Sequence, residues 1–146
     1  NMVGDWYARE IGPGWRKARD QAMHLLQKEV ELQEIVQLIG PDALPETEKA
    51  VLEVTRMIRE DFLQQSAFLE SDAYCQPWKQ YAMLRTILAY YEGTSRALAR
   101  GVALRHVLAV PLAPRIARMK EEEDPAVIET LEKEVTATLD ALEVQT

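Results

Sequence analysis

Leu38 to Lys49 reads LIGPDALPETEK, and Glu60 to Phe68 reads EDFLQQSAF. Gly40 and Pro41 must stop any helix arriving from the N-terminal side, because glycine favours the post-helical position and proline cannot continue the ladder. Pro45 suits the first turn of a second helix, where its missing N–H is no loss, and Glu46 and Glu48 beside it favour the positive end of the helix dipole. Two helices joined by a charged, proline-flanked turn are therefore expected. The second should end near two aromatics, Phe62 and Phe68, with paired amides between them.

Working outward supports the same architecture. Upstream, Ala18, Ala22, Leu25, Leu32, Val36 and Ile39 recur at three and four residue steps with only Glu29 interrupting, which predicts an amphipathic helix of about six turns beginning near Trp15. Residues 1–14 hold Gly4, Gly12, Gly14 and Pro13 without sustained periodicity. They are expected to be a loosely ordered leading segment or the cut end of a linker, with Asn1 before Met2 as a tag remnant. Downstream of the turn, Val51, Val54, Ile58 and Phe62 make the buried stripe of the second helix. Pro77 opens a third, with Tyr81, Leu84, Leu88, Tyr91 and Leu98 on one face, closed by Arg100 and Gly101. Pro111 and Pro114 split the region from Val102 to Lys120 into two short helical pieces. Asp124 as N-cap and Pro125 then start a final helix with Ile128, Leu131, Val135 and Leu142 inward and a Glu129–Lys133 pair outward. No alternating strand pattern or internal repeat is visible. The fold class is all-α: a bundle of three long helices plus short helices and a C-terminal helix, spanning 15–146 as one domain.

Composition bounds the partners. The 146 residues are 47% apolar, enough for a core without metal or disulfide, and seventeen basic against twenty-four acidic residues leave a formal charge of -7. That charge opposes nucleic acid phosphates and anionic lipid headgroups, so neither nucleic acid binding nor direct membrane contact is expected. No apolar stretch approaches the ~20 residues of a bilayer crossing. Lone Cys75 and the lack of a secretion-like N-terminal run make a reducing cytosolic setting the default. His24 and His106 have no ligand-like spacing with Cys75, and no metal site is expected.

Residues 32–68, LQEIVQLIGPDALPETEKAVLEVTRMIREDFLQQSAF, resemble the C-terminal helical domain of the catalytic A subunit of V-type and archaeal-type rotary ATPases. SDAYCQPWKQYAMLRTILAYYEG, Ser71 to Gly93, is also similar to that domain. The resemblance implies a piece of an enzyme whose ATP and magnesium are held mainly by a preceding nucleotide-binding domain. No G-x-x-x-x-G-K-[ST] phosphate loop occurs here, so the chain alone is expected to be catalytically silent and to hold no cofactor. The more distant F-type beta subunit carries a phenylalanine, then an alanine and a second phenylalanine at three-residue steps, and the latter two contact adenine. Phe62, Gln65 and Phe68 keep that spacing with glutamine in place of the alanine. Both phenylalanines could instead fill the core. With the resemblance, Phe62, in line with Val54 and Ile58, is expected in the core, and Phe68, with Gln65, in the adenine pocket.

The same resemblance gives the turn a role. In the relatives it projects toward a central rotor shaft and converts domain closure into torque. Asp42, Glu46 and Glu48 would then meet basic groups there, while Ala43 and Leu44 would offer apolar surface. The simpler reading is a helix N-terminus whose acids suit the dipole, and both can hold together. Implied partners are the B subunits and the central-stalk rotor subunit, in a complex peripheral to a membrane that moves protons or sodium. The other function class left open is a stand-alone acidic helical interaction module.

Overall fold

The computed structural model describes residues 2–63 and 77–145, and every regular element among them is helical. Among the described residues six α-helices follow in order: α1 (Met2–Ile39), α2 (Glu46–Met57), α3 (Pro77–Ala99), α4 (Leu104–Ala109), α5 (Ala113–Arg118) and α6 (Pro125–Asp140). A 3₁₀ turn, Pro41–Ala43, joins α1 to α2, and α2 runs on into a π-helical turn, Ile58–Leu63. Among these residues no helix is long and apolar enough to cross a membrane.

The α1 helix extends further back than its periodicity predicts. It begins at Met2 and runs through Pro13, giving 38 residues and a length of about 57 Å. Proline fixes φ in the helical range and removes one intrahelical bond, whereas each added residue of an already nucleated helix gains one. The expected start of order near Trp15 is thus replaced by continuous helix.

Packing is organised around α3. It lies against α6 along most of its length and meets α1 and α2 elsewhere, so Met83, Leu84, Ile87, Tyr90 and Ala97 are all buried. Tyr81, Tyr91 and Leu98, expected on its inward face, are only half-buried. The close α3–α6 approach occurs at Gly93, where an added Cβ would stand 2.8 Å from Leu139 Cδ1 and 3.0 Å from Leu139 Cβ. Exposed ion pairs flank this seam, Arg85–Glu132 at 2.9 Å and Arg96–Asp140 at 2.9 Å. Each is worth at most about 1 kcal/mol, so the apolar seam carries the stability. The expected Glu129–Lys133 pair does not form: both side chains point to water, and the ion pairs of α6 run to other helices.

Helix ends behave as their residues dictate. The α3 helix closes with Val102 N–H donating to Ala97 O and Gly101 N–H to Leu98 O, each at 3.0 Å, around Gly101 at φ 98°. A side chain at that φ would be strained, which explains glycine there. Asp124 caps α6, accepting from Ala126 N–H at 2.9 Å. Leu139, absent from the expected stripe, is fully buried, and Leu142 packs at the core margin.

Candidate functional site

The α1–α2 hairpin has two chemically distinct ends. At the turn, α1 stops at Gly40 (φ 91°), Leu44 N–H donates to Pro41 O at 3.2 Å, and Pro45 O accepts from Glu48 and Lys49 N–H at 3.0 Å each. Those short bonds stiffen the elbow without help from side chains. Asp42 and Ala43 are exposed and Glu48 is half-buried. Glu46, though exposed, accepts from the backbone N–H of Leu104 at 3.2 Å and so ties the elbow to the first turn of α4.

Leu44 corrects the expectation that it offers apolar surface. It is 4% exposed and belongs to the core. Its two flanking prolines and nearby acids look like surface in the sequence, but the 3₁₀ turn folds the side chain inward. The exposed apolar groups lie one turn earlier instead: Leu38 is 83% and Ile39 70% exposed, with Ile35 at the margin. Ile39 had the periodicity of an inward residue. It turns outward because the buried seam of α1 ends at Leu32 and half-buried Val36, before the elbow.

At the other end, the π turn brings Ile58, Asp61 and Phe62 inward. Phe62 is buried, as its place in line with Val54 and Ile58 predicts, and its ring sits 6.2 Å from that of Trp15. Burial pushes the Asp61 carboxyl above its ordinary pKa of 3.8, with Lys120 and Arg56 partly opposing the rise. A hydrogen bond from Arg56 to Glu53 at 2.5 Å, with a second to Glu60 at 2.8 Å, raises the guanidinium pKa further above its usual value. Tyr90, buried alongside, has its hydroxyl pushed up to about 12 by desolvation.

A polar group inside the hairpin had no assigned partner in the sequence. Glu29, on the apolar face of α1, is buried. Its carboxylate accepts from the Thr55 hydroxyl at 2.9 Å and pairs with the Arg59 guanidinium. The interruption of the α1 stripe marks Glu29 as unusual; a partner thirty residues away leaves no local trace.

Gln65 and Phe68, the adenine candidates, lie outside the described residues. Among the described residues no three His, Cys, Asp or Glu side chains converge as a metal site requires. An open groove of 410 Å³ is lined by Arg115, Arg118 and Met119 on one side and Val127, Leu131 and Glu134 on the other. It includes neither end of the hairpin.

A helical domain carrying a stiff two-helix arm, with a bare apolar tip and a buried aromatic root, defines the class. The chain belongs to the family described as the C-terminal domain of V and A type ATP synthase, which it matches over residues 4–107. It is 51% identical to the A subunit of the A-type ATP synthase of Thermococcus kodakarensis over 142 residues, 97% of this chain and 24% of that protein. It is 50% identical to the second A subunit of the A-type ATP synthase of Methanospirillum hungatei over 144 residues, 99% of this chain and 25% of that protein. With the corresponding A subunit of Pyrococcus abyssi the identity is 52% over 131 residues, 90% of this chain and 13% of that protein. The chain therefore spans a quarter or less of the length of these curated relatives.

Proposed function

We propose that this chain works as the force-transmitting helical domain of the catalytic subunit of an A/V-type rotary ATP synthase, coupling ATP turnover to rotation of a central stalk and thereby to proton or sodium transport. The observation that carries the proposal is the exposure of Leu38 and Ile39, 83% and 70%, at the base of a hydrogen-bonded elbow. Large aliphatic side chains this bare on a stiff tip suit contact with a moving partner. Asp42 and Glu48 beside them add negative charge, which favours a basic rotor surface. Leu44 has no part in that contact; it holds the elbow on the core.

By the family resemblance, Phe68 with Gln65 would complete an adenine pocket when the domain closes on nucleotide. Stacking of a base on an aromatic ring is worth about 1–3 kcal/mol. ATP and magnesium would be held by the nucleotide-binding domain of the parent protein. The described residues do not fit phosphate or metal: they offer no phosphate loop, no converging carboxylates and a net negative charge. The proposed partners are the B subunits and the central-stalk rotor, and attachment to the membrane would be through the complex.

The test uses the assembled complex. Leu38→Ser with Ile39→Ser should lower ATP-driven rotation or ion pumping while nucleotide affinity holds, and Phe68→Ala should weaken nucleotide binding while the domain stays folded. Full coupling in the tip variant would remove the tip from the rotor contact. Unchanged affinity in the second would remove Phe68 from the pocket.

A further inference from the structure

We propose that Glu29 is a positioning residue: through Thr55 and Arg59 it holds the π turn Ile58–Leu63 in register, and so sets which side chains of that turn face the core. The proposal stands on the geometry of the hairpin and requires neither nucleotide nor rotor.

A π turn needs a cause. Its wider ring replaces ordinary i→i−4 bonds and rarely persists beyond one turn. Here the turn begins where α2 ends, and its second residue is Arg59. The guanidinium of Arg59 reaches back to the Glu29 carboxylate on α1, and the same Glu29 oxygen accepts from Thr55, one turn earlier on α2. Thr55 is fully buried and Glu29 is 8% exposed, so this carboxylate has exchanged most of its water for those two donors. One acceptor thus fixes a residue before the π turn and a residue inside it.

The consequence is rotational. Restoring α geometry would turn the side chains at the end of the segment by about 100°, one residue's share of an α-helical turn. Phe62 would leave its place 6.2 Å from Trp15, and buried Asp61 would shift as well. Arg59, 46% exposed at its side chain, would lose nothing by moving to water unless the Glu29 charge holds it. Glu29 is therefore the member of the pair that decides the register.

Backbone amide exchange and ring-to-ring NOEs by NMR on the 146-residue chain test this directly. In Glu29→Gln, which keeps an acceptor for Thr55 but removes the charge, the amides of Arg59 to Leu63 should exchange roughly ten-fold faster or more, and the Trp15–Phe62 NOEs should vanish. Amides of Ile87 and Val135, buried in the α3–α6 seam, should keep their rates. Arg59→Ala, at a half-exposed position that tolerates truncation, should give the same local pattern and decides the matter if Glu29→Gln does not fold. A uniform rise in exchange across the domain, or retained NOEs and rates in Arg59→Ala, would overturn the proposal.

Discussion

The ring of Trp15 on α1 meets that of Phe62 at the end of the π turn, centroids 6.2 Å apart and planes tilted by 42°. Pairs at this separation and tilt attract beyond the area they bury. The contact joins the N-terminal part of the longest helix to the π turn that follows α2, so the root of the hairpin is closed by aromatic packing.

Phe62→Ala should therefore destabilise the domain by about 3–5 kcal/mol, the usual cost of emptying a buried aromatic site. Urea unfolding followed by circular dichroism measures it. With Trp15→Ala, a double-mutant cycle should return a coupling of about 0.5–1.5 kcal/mol. A loss below about 1 kcal/mol for Phe62→Ala would mean that the root is held by other contacts.

The elbow separates into a structural and a presenting part. Leu44→Ala should cost about 2–5 kcal/mol, because the side chain is 4% exposed and its removal leaves a cavity. Leu38→Ser and Ile39→Ser, at 83% and 70% exposure, should change stability by only about 0.5 kcal/mol. Thermal or urea denaturation of the three variants distinguishes these outcomes. Equal losses at all three sites would show that the tip is covered within the domain.

Such contrasts mark where sequence reading succeeds. Helix boundaries were legible wherever punctuation is chemical: Gly40–Pro41, Gly101 and Asp124–Pro125 stand at the observed ends. Burial was less so. The α3 helix is covered on several sides, so a single-face pattern centred on Leu84 and Leu88 omits Met83, Ile87 and Tyr90. Leu44 was misread because local polarity says nothing about what folds over a turn. The π turn left only a faint sign, the even four-residue spacing of Val54, Ile58 and Phe62. In an α-helix that spacing drifts by about 40° per step, and a wider turn takes up the drift. The Glu29–Arg59 pairing is tertiary, and so is the elbow's bond from Leu104 N–H to Glu46.

Gly93→Ala tests the close approach of α3 and α6. The new methyl would fall 3.0 Å from Leu139 Cβ, a contact that rotation of the leucine cannot relieve, and the helices must separate. A loss of about 1–3 kcal/mol is expected by chemical denaturation. Unchanged stability would show that α6 can slide over α3 at little cost.

Asp61 should give the domain a pH dependence of definite sign. Burial raises its pKa above the ordinary 3.8, while Lys120 and Arg56 pull it partly back and Glu60 and Glu53 push it up. The folded state therefore keeps the Asp61 proton to higher pH than the unfolded chain does, and between the two pKa values it binds more protons. Stability from this group falls as pH rises from the unfolded value through the folded one; below the unfolded value the penalty is absent. Asp61→Asn removes the ionisation at nearly constant volume. Relative to wild type, the variant should gain stability as pH climbs from about 4 to about 7 and show no gain at the acid end. Urea midpoints across that range provide the measurement, and comparing the two proteins at each pH cancels the carboxylates they share. Parallel curves would show that Asp61 ionises alike in the folded and unfolded chain, and that its buried position carries no electrostatic cost.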